Sequence, residues 1–316
     1  INEAGPDIFA DRSFFPYDKK DWNLLKKNGI PSFGLNSHRS ASEFDIVATS
    51  LAFLPYAVNY IQTLIMAGIP PFEAVRRGME EQYPLIMVGG YVFGNPEVVA
   101  PSADLVWLGE AEDEGGNPGL QAVMRDIRDW KTANSRVYYT RKGREDLLYF
   151  LSAKYSFLLA PRFHMPSYDS NHKLTSFIRA PGLPVPKRRY VHNFSDGVMA
   201  STNTPLSYVN TAMGHGEVEM ARGCVGSCSF CAQGFRSRPY RERDPEIMIP
   251  ALKEAIINTG ATHAYPCSMD VSMYTKKKEL VSRILQEVSS TCDTQSARVD
   301  NIASDECFLR LARLGG

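Results

Sequence analysis

The chain of 316 residues is poor in cysteine, with only six, which excludes a small disulfide-stapled scaffold. It also lacks an excess of either charge. Its 35 Lys and Arg match 35 Asp and Glu, so no whole-protein field draws it to nucleic acid or to a membrane surface. No internal repeat and no low-complexity tract is found. The chain starts at Ile1, and the polar stretch that follows has no basic-then-apolar leader pattern. Residues 46–72 form its longest uncharged run. Pro55, Asn59, Gln62 and the polar pair Thr49-Ser50 interrupt that run, so it reads as strand, turn and buried helix rather than a membrane span.

What is present is first an alternation of strand and helix. Residues 44–50, 85–88 and 104–108 are apolar runs suited to buried parallel strands, and the last two end in glycine. Residues 55–67 carry Val58, Ile61, Leu64 and Ile65 at helical spacing, closed by Gly68. This pattern predicts an open α/β sheet with its ligand crevice at the carboxyl ends of the strands. After a break at residues 114–119, residues 121–131 read as a helix. Residues 132–216 show little period and are read as a connecting region with packed structure hidden in it, since so long a bare loop is uncommon. Alternation then resumes. Strands are expected at 217–221, 262–267 and 296–302, with helices at 245–258 (capped by Asp244, with Pro250 inside it and Gly260 beyond), 275–289, and after Ser304 to Gly315. The domains expected are 1–118, a connecting region 119–213, and 214–316.

The most specific feature is a C-x3-C-x2-C run formed by Cys224, Cys228 and Cys231. Three thiolates on one tight loop can hold three irons of a [4Fe–4S] cube and leave the fourth open to a ligand. A structural zinc site usually takes four protein ligands, often as two Cys pairs, whereas Cys267, Cys292 and Cys307 stand singly. The ferredoxin spacing is absent. The spacing therefore favours a cluster over zinc or plain buried thiols, and a thiolate loop in a cysteine-poor chain points to the reducing cytoplasm.

With Phe230 before the last cysteine, this run resembles the signature of the radical S-adenosylmethionine (SAM) enzymes. The longer stretch Glu219-Met220-Ala221-Arg222-Gly223-Cys224, and the run from Arg238 to Glu246, resemble radical SAM proteins that carry an N-terminal B12-binding-like domain. Arg12–Pro16, Phe44–Val47, Gly89-Gly90 with Asn95–Glu97, Leu108–Glu110 and Ser296–Asp300 fit the same family. The resemblance implies a Rossmann-like, B12-binding-type open sheet followed by a (β/α) radical SAM barrel. Only three β/α units are read here, where it implies about twice that number. Family members also carry another strand and loop before the position of Ile1. A fragment of a longer protein, or a barrel completed from elsewhere, is the expectation.

It further implies that Cys224, Cys228 and Cys231 ligate iron and that backbone near Phe230 faces the adenine of SAM. Phe230 read without the family is a core aromatic. Ser268, Asp270 and Arg298 lie near strand ends, where barrel sites are built, and are candidates for the SAM carboxylate and amine. The bland alternative is an internal ion pair of Arg298 with Asp300 or Asp270. In the first domain Ser50, Gly89 and Gly90 resemble the contacts to the nucleotide tail of cobalamin, and glycine lets a backbone approach a bulky ligand. Against cobalamin, no Asp-x-His-x-x-Gly is present, and His38 stands in a different context. His215 and His263 read as structural.

Arg236, Arg238, Arg241 and Arg243 follow the cysteine loop, and their interleaved neighbours Glu242, Asp244 and Glu246 suggest local pairing. Lys276–Lys278 and Lys187–Arg189 are further basic runs, of the kind that is usually solvated. The expectation is a radical SAM enzyme acting on an unidentified substrate, with RNA as the class suggested by related methylthiotransferases, an electron donor as partner and no membrane. Cobalamin-dependent methyl transfer, and a non-catalytic Fe–S or zinc-stabilised subunit, are the alternatives carried forward.

Overall fold

Why the first half folds as it does is seen at residues 85–88, an unbroken apolar run that must be covered on both faces. In the computed structural model, which describes residues 4–16, 18–90, 95–195, 202, 216–294, 296–303 and 305–306, that run becomes a central strand. The chain divides into two compact units, Ile1–Tyr190 and Val191–Gly316.

The first unit opens with helix α1 (Lys19–Lys27), whose cap Asp18 accepts the Lys20 amide at 2.8 Å. Strand β1 (Ile46–Ser50) leads through α2 (Tyr56–Met66) and the short α3 (Glu73–Arg76) to β2 (Leu85–Gly89) and β3 (Leu105–Trp107). These three strands are parallel, with Ile46 opposite Leu85 and Met87 opposite Leu105. After α4 (Leu120–Ala133) and α5 (Arg141–Lys154), the two-residue strand β4 (Leu158–Leu159) joins antiparallel to β3. The sheet order is β1-β2-β3-β4. The strands thus advance in one direction, without a reversal of order among the described residues. The core gathers Leu85, Ile86, Val88, Leu105 and Val106 with Tyr60 and Leu64 of α2, Val123 and Ile127 of α4, and Leu147, Leu148 and Leu151 of α5.

Much of the stretch read as a connecting region therefore belongs to this core. Helix α5 escaped the period reading because Gly143 and the paired charges of its first turns dilute its apolar stripe. A Cβ at Gly143 would lie 1.8 Å from the Val137 carbonyl oxygen, so the glycine is needed for the turn to close. A hairpin of β5 (His164–Tyr168) and β6 (Leu174–Arg179) follows, with β6 exposed throughout. Arg189, expected in a solvated run, is buried instead. It donates to the carbonyls of Pro118, Glu110 and Asn117 at 2.8, 2.8 and 2.7 Å.

Below the start of β2 and β3 lies a buried ion cluster that the sequence pattern did not announce. Asp104, only 4% exposed, accepts the Ile86 amide at 2.8 Å and faces Arg76 at 3.4 Å and Arg162 at 3.7 Å. Arg162 also pairs with Glu73, which in turn binds the fork of Arg77 at 3.2 and 2.7 Å. Burial alone would raise the Glu73 carboxyl, but Arg77 and Arg162 hold it below its ordinary value.

In the second unit β7 (Gly216–Glu219) is followed by β8 (Ala221–Arg222), the short α6 (Gln233–Arg236), β9 (Arg241–Glu242), α7 (Pro245–Thr259), β10 (Ala264–Cys267) and α8 (Lys277–Arg283). Strands β7 and β10 are parallel, with Gly216 opposite Ala264 and Glu219 opposite Cys267. Strands β8 and β9 are antiparallel. Helix α7 is bounded as its sequence signals predict. Asp244 accepts the Glu246 amide at 3.1 Å, Pro245 takes the first position, and Gly260 closes it at φ 67°. Met248, Ile249, Leu252 and Ala255 carry it into a second core with Val218, Ala264, Leu280 and Ile284.

Helix α8 passes into a wide π turn at Ile284–Val288, so the expected helix over 275–289 is shorter and irregular. The expected strand at 296–302 is a correction. The chain meets β10 earlier, where Ala264 bridges Cys292, and residues Val299–Ile302 form the helical turn α9 with Arg298 as its cap. Its Asn301 and Ile302 amides bond the Arg298 carbonyl at 3.0 Å each, Val299 is exposed, and Ala297 and Ile302 pack against the second core. Among the described residues the parallel pairing of this unit is thus two strands and one bridge. Ser304, His215 and Cys307 lie outside the described residues. No helix among the described residues is long and apolar enough to cross a membrane.

Candidate functional site

The cysteine run leaves β8 at Gly223, whose φ of 94° suits glycine, and a Cβ there would lie 2.4 Å from the Ser237 carbonyl oxygen. Beneath that turn Arg222 forks onto Glu219 at 3.0 and 2.7 Å. Phe194, fully buried, is flanked by the guanidinium groups of Arg243 at 4.2 Å and Arg222 at 4.9 Å. Arg243 also donates to the carbonyls of Glu219 and Phe194 at 2.9 Å each. The expected pairing of the arginines with their interleaved carboxylates is therefore corrected. Arg241 donates to the Pro239 and Val191 carbonyls, while Asp244 pairs with Lys276 and Glu246 with Arg283. Geometry explains the difference, because on the β9 strand successive side chains point to opposite sides.

Cys224, Cys228 and Cys231 are half-buried free thiols on one bend. The Gly226 amide donates to Cys224 Sγ at 3.3 Å, and the Cys231 amide closes a turn onto the Cys228 carbonyl at 3.0 Å. Gly226 is the cradle of this bend. A Cβ on it would sit 3.3 Å from Cys224 Sγ and 3.7 Å from Cys228 Sγ. Behind it, Gly234 of α6 packs so closely that its own Cβ would meet the Gly226 carbonyl oxygen at 1.8 Å. These two glycines were missed in the sequence. Their signal was their place, one inside the cysteine run and one three residues after it.

No group of three His, Cys, Asp or Glu side chains that could hold a single metal ion is found among the described residues. A cube, by contrast, carries each thiolate on a separate iron. The donor set fits the cube in chemistry: three soft thiols on one bend, two of them facing N–H groups and flanking a backbone position free of any side chain.

Arg298 reaches this bend from the far end of the unit. Its Nη1 lies 3.2 Å from Cys228 Sγ, while Nε and Nη2 hold Asp300 at 3.1 and 2.6 Å. Asp300 first, and then the sulfur of Cys228, hold the guanidinium charged well beyond any accessible pH. The internal pair with Asp300 thus forms, and it leaves one side of the fork for the sulfur. Asp270 is buried and caps the next turn, accepting the Ser272 amide at 3.1 Å. Ser268 is also buried, and its hydroxyl has no hydrogen-bond partner among the described residues. Phe230 is 90% exposed, which rules out a core role. Nearby, burial and then Glu217 and Glu219 push the Cys267 thiol up to about 12, so it stays protonated at neutral pH.

In the first unit Ser50 and Gly89 are register partners at the carboxyl ends of β1 and β2. The space beside Gly90 is taken by the chain itself, since a Cβ there would lie 2.4 Å from the Leu51 carbonyl oxygen. At Gly89 it would lie 3.0 Å from Trp107 Cβ. Close approach of neighbouring chain thus accounts for glycine at both positions. His38 has a φ of 56° and meets Phe33 edge-on, and His263 bonds Thr291.

Residues 1–147 match the family model described as radical SAM proteins, N-terminal. The matched stretch is just under half of the chain and ends well before the cysteine run. It supports a radical SAM-type protein, and with it an enzyme whose family generally uses SAM and an iron–sulfur cluster. No curated protein matches the chain.

Proposed function

We propose that this chain is a radical SAM enzyme in which Cys224, Cys228 and Cys231 each hold one iron of a [4Fe–4S] cube. The observation that carries the reading is the independence of two signals. The family match covers residues 1–147, while the three thiols on one bend, with N–H donors on two of the sulfurs, lie at 224–231. Cluster and SAM together supply radical hydrogen abstraction when bound, and the protein supplies holding, orientation and shielding. Gly226 keeps the space between two sulfurs clear. Ser268 and Asp270 are the polar groups we assign to SAM, and the backbone near exposed Phe230 is the surface we assign to adenine. The reading calls for an external electron donor, and thiolate ligands favour a reducing compartment such as the cytoplasm. RNA is the substrate class carried by the resemblance.

The test is anaerobic reconstitution of the full chain with iron and sulfide, then dithionite and SAM, assayed for 5′-deoxyadenosine. We expect product from the parent chain and none from Cys228→Ala. A chain that takes up zinc but no iron and sulfide would overturn the reading.

A further inference from the structure

We infer that Arg298 is a positioning and tuning residue that donates to the Cys228 sulfur and raises the reduction potential of the cluster. This rests on the proposed function. Arg298 lies 70 residues from Cys228 in sequence, yet its Nη1 stands 3.2 Å from Cys228 Sγ. A Cβ on Gly226, already close to two of the sulfurs, would also be 3.9 Å from that Nη1, so the guanidinium sits in the bend rather than beside it. Its aim is fixed by Asp300. A carboxylate on the Nε and Nη2 edge orients the planar group and leaves Nη1 turned toward the sulfur. The α9 turn that follows keeps the two residues in register. Its Asn301 side chain is tied to Ser272 Oγ at 2.9 Å, and Ser272 is tied to Asp270. Asp270 and Asp300 are the carboxylates whose charge reaches Arg298.

Hydrogen bonds to cluster sulfurs and the net charge beside them set the potential of an iron–sulfur centre. Reduction adds negative charge to the cube, so an N–H donor with a positive charge favours the reduced form. Asp300 works in the opposite direction through its charge while holding the donor in place. The two residues therefore predict shifts of opposite sign. Removing Arg298 lowers the potential. Neutralising Asp300 with a side chain of the same shape that keeps one acceptor oxygen for the guanidinium raises it.

The experiment uses the full chain, reconstituted anaerobically without SAM, with iron and sulfide counted and the midpoint read by a redox titration followed by electron paramagnetic resonance. We expect Arg298→Gln to bind iron and sulfide like the parent but to be reduced at a lower potential. We expect Asp300→Asn to shift the other way, and Arg298→Lys to fall between Arg298→Gln and the parent. Fully loaded Arg298→Gln with the parent potential would overturn the inference and leave the proposed function standing. Loss of iron in both Arg298 variants would assign a structural role and overturn it as well. A parent chain without any iron–sulfide chromophore would remove the underlying reading itself.

Discussion

Substituting Gly234 with Ala tests whether the short helix behind the cysteine bend sets the shape of that bend. The new Cβ would lie 1.8 Å from the Gly226 carbonyl oxygen and 2.9 Å from its carbon. Both are backbone atoms, so no flexible side chain can swing aside. The Gly226 peptide must retreat by about 1.2 Å to reach 3.0 Å, the closest approach real Cβ atoms make. The same residue carries the amide that bonds Cys224 Sγ at 3.3 Å, so the bend moves with it. Overpacking of this kind costs about 1–3 kcal/mol. At about 1.4 kcal/mol per tenfold, the hold on iron weakens about 5- to 150-fold if the cost falls on the loaded form. The assay is iron and labile sulfide retained by the reconstituted chain against a graded chelator. Gly115→Ala is the control, since a Cβ there meets nothing within 4 Å. Equal retention by Gly234→Ala and the parent would refute the claim that α6 shapes the site.

Two further outcomes concern the first unit. Asp104→Ala leaves Arg76 and Arg162 buried without one shared carboxylate and the Ile86 amide without its acceptor, so unfolding in urea should lose about 3–5 kcal/mol of stability. A change below about 1 kcal/mol would show that the cluster is not held as described. Glu73 has its folded value depressed from an ordinary 4.5, so its contribution is complete above that pH and lost as pH falls through the lower folded value. Urea midpoints measured between about pH 5 and pH 3 should fall less steeply in Glu73→Gln than in the parent, and equal slopes would contradict this.

How much of this was legible beforehand divides along the range of the forces involved. Strand β2, helix α2 and helix α7 were read within a residue or two because their signals are local. A continuous apolar run, a 3.6-residue period, an Asp cap with Pro at the first turn, and a closing glycine all act over a few neighbours. The cysteine bend was legible for the same reason, since its three thiols are neighbours in sequence. Helix α5 was hidden because its burial depends on a sheet formed by distant residues. The strand expected around Arg298 was wrong because β10 takes its next partner at Cys292, and what remains at 296–302 has no sheet to join.

By itself, then, the sequence determined the alternating α/β pattern of both halves, the caps of α7 and the close spacing of the thiols of Cys224, Cys228 and Cys231. The tertiary structure decided which groups stand against those sulfurs and which glycines make room for them. It also decided that the buried Arg189 and Arg243 serve backbone carbonyls, and that Asp104 binds two arginines from separate segments. The physical reason is that thiol chemistry and helix capping are properties of adjacent residues. An N–H set 3.2 Å from a sulfur by a residue 70 positions away exists only once the chain has folded.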